Sequence, residues 1–243
     1  MPKSSVDYAT DNITVYRFCP YQCRYCWAWR LGIFRSRIVR GKYDPLREAT
    51  KYLYKYNRII VVSFTSDPYP PQEAEKQLTR KVLSILSKSR NRVLVLTKNP
   101  ILALRDIDIM LQGDVWLGTT ITTIDDKVAS DWEPRAPPPS QRLNALLYAK
   151  KRGIRTWLSV EPIIPGTTYP EEIIRETLWY VDFYVLGSLN YVKQLRLQFR
   201  EEDLREWYDK HVKPAIKLLK TLNKRYHIKK ELRRYLGEVG ESN

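Results

Sequence analysis

The sequence predicts an α/β fold in which a parallel sheet is covered by helices. Three observations lead there. Short apolar runs alternate with amphipathic stretches at a period near thirty residues. The apolar runs at residues 58–64 (RIIVVSF) and 92–97 (RVLVLT) are almost continuously hydrophobic, as strands buried on both faces are. The chain has 243 residues, 43% of them hydrophobic, which fits one large α/β domain or two small ones with a sizeable core.

Taken in order, residues 13–18 read as a short strand leading into a cysteine-rich loop. Residues 45–56 read as a helix, because Pro45 suits a first helical position and Leu46, Ala49, Leu53 and Tyr56 recur at helical spacing. The strand at 58–64 ends in Thr65-Ser66-Asp67-Pro68-Tyr69, and an amphipathic helix follows at 78–87. The pattern continues with a strand at 92–97, a helix at 100–111 and a strand at 115–122. Residues 125–141 form a long connection with prolines at 137, 138 and 139. Ser140 is then placed to cap a helix that Gly153 ends. A fifth strand at 154–160, a helix at 170–181 and a sixth strand at 183–187 complete six βα units. Six such units suit either a doubly wound sheet or an incomplete barrel, and composition does not choose. From Phe199 the character changes to one long helical stripe, with Pro214 expected to break or kink it and a basic helical remainder reaching Leu236.

The formal net charge is +15. Residues 16–58 carry eleven Lys and Arg against two acids, residues 196–234 carry thirteen against six, and the middle is nearly neutral. From Arg24 to Lys42 there are six basic side chains and no acid. Such a surface suits an anionic substrate or nucleic acid, DNA or RNA, and the competing explanation is a solvated surface. The dinucleotide fingerprint and the Walker A loop are absent, which weakens nucleotide-cofactor and NTPase readings. No apolar run approaches membrane-spanning length, and residues 1–12 lack the apolar core of a signal peptide. The expectation is a cytoplasmic protein with no membrane partner.

All three cysteines lie in Cys19-Pro20-Tyr21-Gln22-Cys23-Arg24-Tyr25-Cys26-Trp27, spaced C-x3-C-x2-C. Three thiolates this close in sequence can converge on one metal centre. A [4Fe–4S] cluster takes one ligand per iron, usually thiolate, so three cysteines would leave one iron open. Open positions are what metal sites keep for small molecules. A disulfide would leave one cysteine over and suits secreted proteins. A zinc site of three cysteines and one histidine needs a nearby histidine, and His211 and His227 lie far downstream. The alternative of another class is a nucleic-acid-binding protein with a structural three-cysteine metal site.

With aromatic Tyr25 before the third cysteine, the loop resembles the signature of the radical S-adenosylmethionine (SAM) superfamily. The resemblance implies a [4Fe–4S] cluster on Cys19, Cys23 and Cys26, with SAM chelating the fourth iron. It also implies an external electron donor of flavodoxin or ferredoxin type, and reductive cleavage of SAM to a 5′-deoxyadenosyl radical that abstracts hydrogen from a substrate. Downstream, Thr65-Ser66-Asp67-Pro68-Tyr69, Leu96-Thr97-Lys98-Asn99, Arg105-Asp106, Glu133-Pro134-Arg135-Ala136-Pro137 and Pro162-Ile163-Ile164-Pro165-Gly166 follow in that order. This set resembles the spore photoproduct lyase-like branch. The implied fold is a partial (β/α)6 TIM-type barrel over residues 1–195, with residues 196–243 as a basic helical extension packed on it.

By the same resemblance, Ser66 and Asp67 stand where many members have Gly-Gly-Glu, which binds the methionine amino group. Lys98 would salt-bridge the SAM carboxylate, Thr120 would hydrogen-bond the ribose or carboxylate, and Tyr25 would lie near the adenine. Trp27 and Trp29 would help to keep the cluster dry. The residues themselves add competing readings. Asp67 suits a turn or cap equally well, and Glu133 with Arg135 suits a structural ion pair. Glu161, at the end of a strand, needs a cation or hydroxyl partner, which makes it a candidate for ribose, SAM or substrate, or for a salt bridge. Tyr69, Tyr191 and Trp157 suit base stacking or the core. The spore lyase is thought to use a further cysteine as hydrogen donor. This chain has no fourth cysteine, Phe64 stands nearest that place, and Tyr25 or Tyr69 is the alternative donor. That departure points away from thymine-dimer repair.

Overall fold

A computed structural model describes residues 6–30, 32 and 43–237. Its frame is a seven-stranded, all-parallel sheet in chain order, curled into a half-barrel. β1 (Asp11–Ile13) is followed by the four-residue helix α1 (Trp27–Arg30) and by α2 (Pro45–Thr50), which continues into a 3₁₀ turn. Asp44 caps α2 by accepting from the Leu46 N–H at 2.9 Å, and Pro45 takes the first helical position, as expected. β2 (Ile59–Val62) leads to α3 (Glu73–Lys76) and α4 (Leu78–Leu86), then β3 (Arg92–Leu96). Next come α5 (Pro100–Ala103), α6 (Ile107–Met110) and β4 (Val115–Thr120). α7 (Asp126–Trp132), α8 (Pro139–Lys151) and β5 (Thr156–Ile163) follow. α9 (Pro170–Thr177), β6 (Phe183–Ser188), α10 (Glu201–Thr221), β7 (Arg225–Ile228) and α11 (Lys230–Leu236) complete the chain.

Strand side chains alternate between two environments. Ile60, Val62, Val93, Val95, Leu117, Leu158 and Leu186 pack beneath the helices in the main core. Val61, Leu94, Trp116, Trp157 and Val185 point to the inner face and form a smaller core with Val6 and Tyr8. Continuing along that inner face toward the carboxyl ends of the strands gives Ser63, Lys98, Thr120, Ser159 and Glu161. One alternation therefore produces a hydrophobic floor and a polar mouth. Two glycines make room there. A Cβ on Gly118 would lie 2.4 Å from the Trp157 indole, and one on Gly187 would lie 2.7 Å from the Glu161 side chain. Bare backbone on β4 and β6 thus lets those two large side chains lie across the sheet.

Several local expectations change. The first strand is earlier and shorter than residues 13–18, because the Val15 N–H leaves the ladder to bond the Ser63 hydroxyl at 3.0 Å. The expected helix at 100–111 is broken by a 3₁₀ turn at Leu104–Asp106, where buried Asp106 pairs with Arg80 and Arg105. The connection at 125–141 contains α7, which Asp125 caps through the Lys127 and Val128 N–H groups at 2.8 and 3.1 Å. Ser140 does not cap α8, which starts at Pro139. Its N–H instead meets Asp126 at 2.9 Å. α9 stops at Thr177, short of Val181. Pro214 lies inside α10 without ending it.

The C-terminal stretch is not only helical. β7 pairs with β6 and adds a seventh strand, and its alternation of Arg225 and His227 with Tyr226 and Ile228 hides it from a search for apolar runs. Most of the basic run between Arg24 and Lys42 lies outside the described residues. Among the described residues, no helix is long and apolar enough to cross a membrane.

Candidate active site

A pocket of about 460 Å³ opens at the carboxyl ends of the strands, where parallel α/β folds place their sites. Its wall is the cysteine loop, the ends of β2 to β6, and Lys229 with Glu231 just beyond β7. The loop is held by its backbone. The Cys26 N–H meets the Cys23 carbonyl at 3.0 Å, the Arg24 N–H meets the Trp132 carbonyl at 2.8 Å, and the Trp29 indole donates to the Cys19 carbonyl at 3.0 Å. Tyr21 anchors the loop to the next strand's exit by donating to the Tyr69 carbonyl at 2.9 Å.

Cys19, Cys23 and Cys26 are free thiols, and all three line the pocket. Burial pushes each thiol up, Cys19 well above its ordinary value with Asp67 adding to the rise, and Cys23 to about 12. A bare thiolate is therefore disfavoured in this loop, and coordination to iron is what would stabilise it. Among the described residues, no three His, Cys, Asp or Glu side chains gather closely enough to hold a single metal ion. A cluster needs a different arrangement, one thiolate for each of three irons. The donor set fits a [4Fe–4S] group with one iron open better than it fits a single structural ion.

On one side of the pocket Glu133 is the hub. Its buried carboxylate accepts from the Tyr25 hydroxyl and the Arg142 guanidinium, and lies 3.1 Å from the Lys98 ammonium. Burial alone would raise this carboxyl. The Lys98 and Arg142 cations, with the hydrogen bonds from Tyr25 and Arg142, instead hold it at about 2. Lys98 also sits 5.4 Å from the Tyr25 ring centre, and Arg142 donates to the Thr120 carbonyl at 2.9 Å. Two cations thus share one carboxylate, and of the two Lys98 lines the pocket. The expected Glu133–Arg135 pair is thus replaced by Glu133 with Lys98 and Arg142, because α7 turns Glu133 inward.

Asp67 is buried, and its carboxylate accepts from the Tyr69 N–H at 2.8 Å, the Thr97 hydroxyl at 2.6 Å and the Lys98 N–H at 2.7 Å. It ties the exits of β2 and β3 together. Ser66 donates to the Tyr16 carbonyl, which joins the same exit to the segment before the cysteines. Both residues line the pocket, as does Thr120.

Across the pocket, Glu161 meets Lys229 at 2.6 Å. Burial would lower the Lys229 ammonium, but Glu161 outweighs it and the group is raised. Lys229 also lies 5.1 Å from the Phe64 ring centre, and Trp27 packs against Tyr191 at 5.6 Å. Ser159, Ser188 and Asn190 complete this side.

Cys19, Cys23, Cys26, Tyr25, Ser66, Asp67, Lys98, Thr120 and Glu161 are all brought to one pocket. Tyr69 and Trp157 are not, since the Tyr69 hydroxyl is spent on Asp106 at 2.9 Å and Trp157 fills the floor. Sequence reasoning missed the Glu133 hub, Arg142, Lys229 and Glu231. The Glu133 motif itself was visible, but its partners lie in the cysteine loop, just after β3 and on α8. Lys229 depends on recognising β7.

Comparison with known proteins agrees with this geometry. The family model for the radical SAM superfamily matches residues 13–178. The uncharacterised protein MJ0683 of Methanocaldococcus jannaschii is 32% identical over 182 residues, covering 73% of this chain and 70% of that protein. A spore photoproduct lyase variant with bound AdoMet and dinucleoside spore photoproduct superposes with a TM-score of 0.68 at 16% identity, covering 93% of this chain and 78% of that one. SuiB of Streptococcus suis bound to precursor peptide SuiA superposes at 0.65 and 11% identity, covering 93% of this chain, which spans about half of SuiB's length (50%). SuiB has also been seen bound to S-adenosylmethionine. A half-barrel with three thiols at its mouth, matched by the family model over most of its strands, leads to one conclusion: this chain belongs to the radical SAM superfamily.

Proposed function

We propose that this protein cleaves SAM reductively at a [4Fe–4S] cluster held by Cys19, Cys23 and Cys26, and abstracts hydrogen from an anionic substrate, a nucleic acid being favoured. When bound, the cluster and SAM supply a 5′-deoxyadenosyl radical, the electron coming from an external flavodoxin- or ferredoxin-type donor in a reducing cytoplasm. The observation that carries the reading is the convergence of three free thiols, the Lys98 ammonium and the polar exits of β2, β4 and β5 on one pocket.

The chain's own residues divide the work. The three cysteines hold the metal centre and leave one iron for SAM. Lys98, one of two cations on the Glu133 carboxylate, offers its ammonium to the SAM carboxylate while Glu133 fixes its position. Tyr25, Trp27 and Phe64 line the wall and keep water from the reacting centre. The Glu161–Lys229 pair, with Ser159, Ser188 and Asn190, faces the space left for ribose or substrate. The +15 charge is what supports an anionic substrate and, through it, a nucleic acid, since the structural neighbours include one with a dinucleoside and one with a peptide. With no fourth cysteine, hydrogen return by a thiol of this chain is not proposed.

Anaerobic reconstitution tests the reading. It should yield about four irons and four sulfides per chain, and release of 5′-deoxyadenosine from SAM that depends on dithionite. Stoichiometric zinc with no SAM cleavage would replace it with the structural-metal alternative. Lys98→Ala should weaken SAM binding by roughly 10- to 100-fold, the loss expected for one charged hydrogen bond, with iron content unchanged. Equal affinity in equilibrium dialysis would remove Lys98 from the SAM site.

A further inference from the structure

The segments that lead from helix to strand gather at the amino ends of the strands, opposite the pocket. They are residues 55–58, 87–92, 111–114, 150–155, 178–182 and 221–225. Together they carry eleven Lys and Arg and only two acids. Both acids are already engaged. Asp114 pairs with Arg92 at 3.0 Å and Arg155 at 3.2 Å, and Asp182 pairs with Lys150 at 2.5 Å. At the pocket end the connection at 125–138 is mixed, with Asp125, Asp126, Asp131 and Glu133 against Lys127 and Arg135.

Part of this charge has an ordinary explanation. Lys150, Lys151 and Arg152 close α8, where the carbonyl end of a helix favours cations. The arginines near the strand starts do not follow from that. Arg92, Arg155 and Arg225 place their guanidinium carbons 4.8, 5.5 and 5.5 Å from the Trp116 ring centre. Arg92 and Arg155 share the single carboxylate of Asp114, and among the described residues Arg225 has no carboxylate partner. Three like charges around one indole repel one another, and a bound anion relieves that repulsion. The same end exposes aromatic rings. Trp179 is 84% exposed, Tyr54 is 79% exposed, and Tyr56 lies 5.8 Å from the Arg90 guanidinium. Cations interleaved with open ring faces form the usual platform for phosphates and stacked bases.

We infer that this end of the half-barrel binds single-stranded nucleic acid at a surface separate from the pocket. β4 runs six residues between the two ends, so the surface lies about 16 Å from Thr120. It grips backbone and bases without presenting the reacting group. The inference goes beyond the proposed radical chemistry, and its test needs no turnover.

The test is fluorescence anisotropy of the full-length chain with a labelled oligothymidylate, titrated over a range of salt. The triple variant Arg90→Glu, Arg152→Glu, Arg225→Glu should bind at least about tenfold more weakly, with a log–log salt slope shallower by roughly two. Lys193→Glu with Arg196→Glu, at the pocket end, should lose less. Trp179→Ala with Tyr54→Ala keeps every charge and should lose about fivefold or more through stacking, which covers the case in which the triple variant fails to fold. Absent binding by the parent, equal affinity in the triple variant, equal binding of a duplex of the same length, or equal binding of polyglutamate would overturn the inference.

Discussion

Cys23→Ala is expected to cut bound iron severalfold and to lower 5′-deoxyadenosine release by more than about 100-fold, beyond the 10- to 100-fold loss typical of changes outside the ligand shell. Cys23 is the buried member of the three and sits between the other two in the loop. Its removal would leave two thiols to hold the proposed metal centre, and no histidine lines the pocket to replace it. The fold should survive, because the loop is held mainly by backbone contacts such as the Arg24 N–H on the Trp132 carbonyl at 2.8 Å and by Tyr21 on Tyr69. Iron assay, deoxyadenosine chromatography and far-UV circular dichroism on one preparation check all three statements. Full iron retention in the variant would remove Cys23 from the metal site.

Glu133→Ala is expected to be the most damaging single substitution for stability, at about 3–5 kcal/mol. That corresponds to roughly 10 °C in the thermal midpoint of a chain this long. The carboxylate is the common acceptor for Tyr25, Lys98 and Arg142. Arg142 is itself buried, and without Glu133 its charge has only carbonyl partners, Pro137 at 2.6 Å and Thr120 at 2.9 Å. Glu133→Gln keeps an acceptor but not the charge and should fall between parent and alanine. The pH dependence follows from the depressed carboxyl. Its ordinary value is 4.5 and its folded value about 2, so the stabilisation is complete above about 4.5 and fades as pH falls from 4.5 toward 2. In Glu133→Gln that part of the acid sensitivity should disappear. A midpoint shift under about 2 °C in Glu133→Ala would show that the network carries little stability.

Much of the frame was legible because its signals are local. β2 and β3 are continuous apolar runs, and Pro45 announces the start of α2 by residue chemistry alone. The cysteine spacing marks a metal loop for the same reason, since its donors lie within one short segment. What escaped depends on partners distant in sequence. α7 was hidden by the prolines that follow it, and β7 by an alternation in which charged residues face inward. Asp67 could not be divided between turn and ligand, because its partners Thr97 and Lys98 come from another strand.

By itself, then, the sequence determined the parallel α/β frame, the three-cysteine loop and a family resemblance reaching across the strands. Tertiary structure alone decided that Glu133 faces Lys98 and Arg142 rather than Arg135, that Lys229 crosses to Glu161 over a bare Gly187, and that eleven Lys and Arg with only two acids gather at the end opposite the pocket. The physical reason is the same in each case. Spacing along the chain sets which face of a strand or helix a side chain occupies, whereas the partner of a buried charge is set by which elements the curled sheet brings together.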